Sequence, residues 1–318
     1  MPSAIRHRST EAHERPPSAI RNAFTVDLED WFQGLTSTNP LVERWSSFES
    51  RVVPATRLLL EILRACQVKA TFFVLGYVAE QHPALIEQLQ AEGHEIGVHG
   101  YFHRFVSRLT PPEFAQELER SIEAVERITG RRPWGHRAPY FSINAKTPWA
   151  FEVLRASGLR YDSSIFPTRN MLYGFPAAPR FPYRLPPEAK KPGFSGAGDV
   201  PACNQPLVEF PLSTVRLGGV NWPIAGGFYL RALPYSFIRW GISRLNRQGQ
   251  PAIMYLHPWE LDLGQHYNQV TPRERITHYY GRRGLAKKLH RLFSDFQFSS
   301  LQTLFEVMKR SAELTSKP

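Results

Sequence analysis

Short apolar runs alternate with longer amphipathic stretches through the first half of the chain. Residues 23–26, 69–75 and 94–98 are apolar runs typical of buried strands. The stretches that begin at Pro54, Ala79 and Thr110 instead carry apolar residues at helical spacing. This alternation predicts parallel β/α units, arranged either as a barrel or as an open sheet. In both architectures the ligand site lies at the carboxyl ends of the strands.

The second half of the chain is less regular. Residues 167–206 are rich in Pro, Gly, Arg and Tyr, without a period, and predict a long insertion that covers a substrate or connects two elements. On either side of this insertion, further elements are predicted: helices at 148–156, 233–245, 285–293 and from 301 onward, and strands at 159–162, 208–212, 252–256 and 296–299.

The composition is that of a globular protein. Its 318 residues, 42% of them hydrophobic, allow one large α/β domain or one domain with an appendage. No apolar run approaches the roughly 18–20 residues of a membrane helix. Residues 1–21 are polar and basic, which predicts a disordered tail; without a recognisable secretory signal we expect a location in the cytoplasm or at its membrane face. Cys66 and Cys203 are too few for a disulfide framework.

The formal net charge of +11 is compatible with nucleic acid, anionic membrane or acidic polysaccharide as partners. Basic residues are concentrated between Arg273 and Arg291. No nucleic-acid-binding motif accompanies them, so a solvated helical face is the preferred interpretation and no nucleic-acid partner is predicted.

Candidate metal ligands follow two of the predicted strands. His99 and His103 stand four residues apart after the third strand, a spacing that brings two imidazoles together on one face of a helical turn. Asp27, Glu29 and Asp30 follow the first strand, where buried charges are costly unless they are paired or bind a metal. Two histidines and one carboxylate leave coordination positions open, as in catalytic sites, and a second carboxylate can act as a general base.

Three further polar residues lie at predicted strand ends. Arg137 can orient a carboxylate, although a surface salt bridge explains it equally well. His257 is a candidate general acid, with a buried histidine bonded to backbone as the alternative. Asp162 can pair with His257 and raise its pKa, or cap the turn that follows it.

With these residues in place, the chain resembles the polysaccharide deacetylase family, the NodB-homology domain of carbohydrate esterase family 4. The motifs run in order from residue 24 to residue 262: Thr25-Val-Asp-Leu-Glu-Asp30, His99-Gly-Tyr-Phe-His103, Arg137-Ala-Pro-Tyr-Phe141, Tyr161-Asp-Ser-Ser164 and Leu256-His257. The form of the first motif and the C-terminal part resemble the branch found with exopolysaccharide and exosortase gene clusters, which ends in a domain of unknown function.

The resemblance implies a distorted (β/α) barrel of about seven strands. It also implies a divalent metal, most often zinc, with cobalt or manganese as alternatives. The expected domains are a tail at 1–21, a deacetylase domain at 22–265 with its insertion at 167–206, and a basic helical extension at 266–318 packed on the barrel.

The resemblance also implies roles for individual residues. Asp27 would be the catalytic base, oriented by Arg137, and His257 the general acid, tuned by Asp162. The backbone N–H of Tyr140 would stabilise the oxyanion. His99 and His103 would bind the metal. The usual motif has two adjacent aspartates, but here Leu28 follows Asp27, so Glu29 and Asp30 both remain candidates for the third ligand.

The expected activity is removal of N-acetyl groups from amino sugars of a polysaccharide, in exopolysaccharide biosynthesis. Two alternatives remain: hydrolysis of another linear or cyclic amide, as in the allantoinase-like branch, and non-catalytic polyanion binding through the basic segment. Trp31, Phe32, Tyr140 and Trp259 are candidates for stacking on sugar rings or for barrel packing. The sequence predicts neither the sugar nor the oligomeric state.

Overall fold

The computed structural model of the chain describes residues 20–170, 174–185 and 206–315. Most of its strands are short and buried. They are β1 Asn22–Leu28, β2 Thr71–Val74, β3 Glu95–Val98, β4 Gly135–His136, β5 Tyr161–Asp162, β6 Tyr183–Leu185, β7 Leu207–Glu209, β8 Thr214–Leu217, β9 Val220–Pro223, β10 Ile253–Leu256 and β11 Phe298–Ser299.

Helices connect these strands and cover the sheet. They are α1 Trp31–Gly34, α2 Val52–Ala65, α3 Gly76–Gln81, α4 Pro83–Ala91, α5 Pro111–Thr129, α6 Trp149–Ala156, α7 Gly227–Ala232, α8 Tyr235–Arg247, α9 Pro272–Glu274, α10 Leu285–Asp295 and α11 Leu301–Thr315. Helix α5 begins at the capping box of Thr110 and Glu113 and ends at Gly130, whose φ of +65° suits glycine.

Seven strands pair in parallel in the order β10-β1-β2-β3-β4-β5-β7. The two ends of this curled sheet, β7 and β10, meet through Ser213. Its backbone N–H donates to the Ile253 carbonyl at 3.2 Å, and its Oγ accepts from the Ile253 N–H at 2.7 Å. The predicted distorted (β/α) barrel of about seven strands is confirmed.

The strands and helices differ from the sequence-based prediction in several details. Strand β1 extends through Asp27 and Leu28, so Asp27 belongs to the strand rather than to the loop after it. The helix predicted from Ala79 to Ala91 is two helices, because Pro83 cannot continue α3 and instead begins α4. The β8–β9 hairpin and helix α7 were not predicted. Within the insertion predicted at 167–206, residues 171–173 and 186–205 lie outside the described residues.

The C-terminal segment packs closely against the barrel. Strand β11 pairs in parallel with β1, and the ring of Phe293 from α10 lies 4.9 Å from the ring of Phe24. The predicted solvated basic face is only partly present, since Arg282 is buried over the Trp259 ring and Lys288 donates to three backbone carbonyls at the end of α7. The extension therefore shares the barrel's core.

Candidate active site

Glu29, His99 and His103 form a buried cluster at the carboxyl ends of β1 and β3. One ligand atom from each lies within 4.8 Å of the other two. Glu29 Oε2 is 2.7 Å from His103 Nε2 and 4.0 Å from His99 Nε2. The same Oε2 is buried, and among the described residues no donor other than His103 is available to it. A carboxylate oxygen and two imidazole nitrogens that converge in this way are a donor set that fits a zinc-like divalent ion.

The segment that carries the two histidines is not the expected helical turn. Gly100 and His103 both have positive φ, +74° and +52°, and the chain bends sharply between the two imidazoles. The bend still brings the rings together, with centroids 5.1 Å apart. His99 Nδ1 lies 2.7 Å from the Arg137 carbonyl, so Nδ1–H donates there and the Nε2 lone pair faces Glu29.

Charge and burial act in opposite directions at this cluster. Burial raises the pKa of Glu29, but His103, His257 and His99 outweigh burial and lower the pKa to about 2. For His99, burial is the largest influence and lowers the pKa to about 4. An ionised carboxylate beside neutral imidazole is the protonation state that metal binding requires.

Asp30, the other candidate for third ligand, is not part of this cluster. Its Oδ1 accepts the Trp31 N–H at the start of α1, and its Oδ2 accepts the Ser50 hydroxyl at 2.6 Å and the Val52 N–H at 3.2 Å. Arg51 N–H also donates to both oxygens. The Asp30 carboxylate therefore fixes the start of α1 and α2, and the expectation that it binds the metal is not supported by its position.

Asp27 is held by Arg137 inside the barrel. Arg137 Nη1 donates to Asp27 Oδ1 and to Thr25 Oγ1, both at 2.7 Å. The rest of the guanidinium donates to the carbonyl and hydroxyl of Ser163. Both members of the pair are buried, and only one guanidinium nitrogen reaches the carboxylate, so the pair is not bidentate. Asp27 Oδ2 remains directed toward His257 Nε2 at 3.9 Å.

His257 pairs with Glu260 rather than with Asp162. His257 Nδ1 lies 3.0 Å from Glu260 Oε1, and its Nε2 lies 3.5 Å from Glu29 Oε1. Burial lowers the pKa of His257, but Glu29, Glu260 and Asp27 outweigh burial and raise it to about 9. Glu260 was not among the expected site residues. Its signal was available in His257-Pro-Trp-Glu260, the pattern of a helix start with an acid at the third position.

Asp162 lies on the other face of the sheet. Successive residues of a strand point to opposite faces. Tyr161 hydrogen-bonds to Glu95, which shares a register row with Thr25 and hence the face that carries Asp27. Asp162 consequently points away from that face and accepts from His136 Nδ1 at 2.8 Å. Asp162 therefore does not contact His257, contrary to the expectation that it pairs with this histidine and tunes it.

The cluster opens into a cavity of about 340 Å³. Its walls come from both halves of the chain. Tyr140 lies on one wall, with its backbone in the left-handed region at φ +53° and its ring 4.4 Å from that of His103. Further lining residues include Asn170, Phe228, Tyr229, Arg273 and Thr277.

The expected sugar-stacking residues divide into packing and cavity residues. Trp31 and Phe32 are buried in an aromatic cluster with Trp45, which is packing. Trp259 lines the cavity, but its two faces stack on His257 and His278, with centroids 4.8 and 4.0 Å away. Tyr140 remains as an expected aromatic in the cavity wall.

Two family models match the chain. Residues 44–161 match Polysaccharide deacetylase, and residues 163–306 match the domain of unknown function DUF3473. The chain is thus similar to polysaccharide deacetylases over residues 44–161 and to DUF3473 proteins over residues 163–306. His99, His103 and Arg137 fall within the deacetylase match, whereas His257 and Glu260 fall within the second match.

Similar proteins include peptidoglycan deacetylases. The chain is 34% identical over 124 residues to the peptidoglycan deacetylase-like protein FGM2 of Gibberella zeae, which is 37% of this chain and 36% of that protein. It is 35% identical over 98 residues to the peptidoglycan-N-acetylglucosamine deacetylase of Bacillus cereus, 30% of this chain and 36% of the relative. The match thus spans about a third of the length of each.

A crystal structure of a candidate polysaccharide deacetylase from Mycobacterium smegmatis has the same fold. Its TM-score is 0.58 at 22% identity, covering 94% of this chain and 93% of the other. Among the described residues, no helix has both the length and the apolar character needed to cross a bilayer.

Proposed function

We propose that this protein hydrolyses the N-acetyl groups of amino sugars in a polysaccharide, releasing acetate and leaving a free amine. The observation that carries the proposal is the convergence of Glu29, His99 and His103 beside Asp27 and His257 in one cavity. Relatives named peptidoglycan deacetylases support the substrate class. We further propose zinc as the metal and an exopolysaccharide as the natural polymer.

The metal would be held by Glu29, His99 and His103. When bound, a divalent ion there supplies a Lewis acid that polarises the amide carbonyl and lowers the pKa of water. Asp30 is not included in this ligand set, because its carboxylate is bonded at the start of α1 and α2.

Asp27 is the proposed general base. Arg137 occupies Oδ1 and leaves Oδ2 facing the cavity, so Oδ2 is the atom that takes the proton from the attacking water. Since Arg137 is itself fixed by Thr25 and Ser163, the carboxylate is presented in one orientation.

His257 is the proposed general acid. Its Nδ1 is bonded to Glu260, so Nε2 is the atom that faces Glu29 and Asp27 across the cavity. A proton on Nε2 would pass to the amide nitrogen as its bond to the acetyl carbon breaks. Proton removal and proton donation are thus assigned to different residues on the barrel rim.

The test is acetate release from chito-oligosaccharides by zinc-loaded protein. Asp27→Asn keeps the shape of the side chain and should lower the rate by roughly 10²–10⁴-fold, the range for one general base. His266→Ala changes an exposed histidine outside the cavity wall and serves as the matched control. If the wild-type protein releases no acetate from chito-oligosaccharides, peptidoglycan or exopolysaccharide, the proposed function is wrong.

A further inference from the structure

Carboxylates face both ring nitrogens of His257. On the cavity side, Nε2 faces Glu29 and Asp27 at 3.5 and 3.9 Å. On the far side, Nδ1 lies 3.0 Å from Glu260 Oε1, and the same oxygen accepts the His257 backbone N–H at 3.0 Å. Glu260 therefore fixes both the ring orientation and the position of the Nδ1 proton.

Glu260 is in turn fixed by Arg231. Arg231 Nε donates to Glu260 Oε2 at 2.6 Å, and both side chains are almost completely inaccessible to solvent. The two remaining guanidinium nitrogens donate to the backbone carbonyls of Thr277 and Tyr280. Because each of its three guanidinium nitrogens donates a hydrogen bond, Arg231 holds the carboxylate in a single geometry.

Gly227 leaves the space that the Glu260 carboxylate occupies. A Cβ on Gly227 would lie 1.6 Å from Glu260 Oε1 and 2.0 Å from Oε2. The rings of His257, Trp259 and His278 form a stack, with interplanar angles of 15° and 18°. The imidazole is therefore confined by a hydrogen bond at its edge and by an indole on its face.

We propose that Glu260, clamped by Arg231, is the positioning residue for the general acid His257, and that the segment matched by DUF3473 supplies this half of the active site. All three residues fall within 163–306, while all three metal-cluster residues and Arg137 precede that segment. Asp162 is excluded from the role, because it is bonded to His136 on the other face of the sheet. The proposal rests on the proposed deacetylase function.

The first test compares two substrates in Glu260→Gln. In chito-oligosaccharide the leaving group is the sugar amine, which must be protonated before it departs. In 4-nitrophenyl acetate the leaving group is 4-nitrophenolate, which departs without a proton. We expect kcat for chito-oligosaccharide to fall by roughly 10–100-fold, the usual cost of removing such a partner, with KM within about twofold. Hydrolysis of 4-nitrophenyl acetate should fall less than about threefold. Equal losses on both substrates, or no loss on either, would overturn the proposal.

The second test does not depend on catalysis. Two-bond ¹H–¹⁵N spectra of histidine-labelled protein report which ring nitrogen carries the proton. In wild type, His257 Nδ1 should be protonated; in Glu260→Ala and Arg231→Lys, the Nδ1 resonance should shift toward the unprotonated position. Asp162→Asn is the matched control and should leave the His257 signals unchanged. Shifted signals in Asp162→Asn with unchanged signals in Glu260→Ala would contradict the proposal.

The two tests distinguish failure of the proposed deacetylase function from failure of the positioning role of Glu260. If no saccharide is deacetylated but the His257 signals respond to Glu260 and Arg231, the proposed function fails and the positioning stands. If wild type deacetylates and Glu260→Gln, folded by its melting curve, retains full kcat, the positioning fails alone. Arg231→Lys repeats the kinetic comparison should Glu260→Gln not fold.

Discussion

Glu29 and Asp30 are adjacent in the chain, but only the Glu29 carboxylate reaches the two histidines. Glu29 Oε2 lies 2.7 Å from His103 Nε2, whereas Asp30 accepts hydrogen bonds from Trp31, Ser50, Arg51 and Val52. Asp27 and Glu29 line the same cavity. The two carboxylates thus have separable functions.

Glu29→Gln and Asp30→Asn should therefore affect different properties, metal binding in the first and stability in the second. We expect Glu29→Gln to lose bound metal and acetate release. Asp30→Asn should keep one metal per chain but lose roughly 1–3 kcal/mol of unfolding free energy, because buried donors lose a charged acceptor. Elemental analysis and chemical denaturation measure the two effects. Loss of metal in Asp30→Asn with full retention in Glu29→Gln would reverse the assignment.

Arg137→Lys tests the orientation of the base. Lysine keeps the charge but cannot contact Asp27, Thr25 and Ser163 at once, as the guanidinium does. We expect kcat to fall by roughly 10-fold or more with metal content unchanged. Arg132→Lys, at an exposed salt bridge, is the control and should change stability by less than about 1 kcal/mol. Wild-type kcat in Arg137→Lys would show that Asp27 needs no such clamp.

Gly227→Ala should impair catalysis although it adds one methyl group. The new Cβ would overlap the Glu260 carboxylate and push it from His257 and Arg231. We expect a rate loss similar to that of Glu260→Gln, together with a lower melting temperature from overpacking of about 1–3 kcal/mol. Gly284→Ala, where a Cβ meets nothing within 4 Å, should be neutral in both assays. Equal behaviour of the two variants would contradict this account.

His94 should make stability depend on pH between about 4 and 6.5. Burial, and secondarily Lys69, lower its pKa to about 4, and its Nδ1 accepts the Ala70 N–H at 3.1 Å. The folded pKa is depressed below the unfolded one, so this contribution is complete above 6.5 and is lost as pH falls. By linkage it amounts to about 2 kcal/mol between pH 7 and pH 5.

The corresponding measurement is urea unfolding at pH 7 and pH 5. In His94→Gln the difference between the two unfolding free energies should shrink by that amount. His266→Gln removes an exposed histidine and should leave the difference as in wild type. An identical pH dependence in all three proteins would show that the pKa of His94 is not lowered in the folded state.

The pattern of apolar runs predicted parallel β/α units, as a barrel or an open sheet, and the resemblance implied the barrel. Asp27, His99 and His257 each follow an apolar run, and parallel strands end together at one edge. The sequence left Glu29 and Asp30 undecided. The predicted β1 ended at Val26, whereas the strand extends to Leu28, so the face of the residues near its end was not considered.

Two features required the folded structure. Strand β5 has only two residues, Tyr161 and Asp162, too few to show a period, so the face of Asp162 could not be predicted. Arg231 meets Glu260 across 29 residues and donates to carbonyls near Tyr280, contacts that depend on how α7 and the C-terminal segment pack. Local pattern gives no information on pairs of this kind.

The central claim is a metal held by Glu29, His99 and His103 that is required for deacetylation. Its most direct test is elemental analysis of purified wild type and the His99→Ala/His103→Ala double variant, with acetate release from chito-oligosaccharide measured on the same samples and His266→Ala as control. We predict about one zinc-like ion per chain in wild type and control, and loss of both ion and acetate release in the double variant. Equal metal content in all three proteins, or acetate release that survives in the double variant, would contradict the claim.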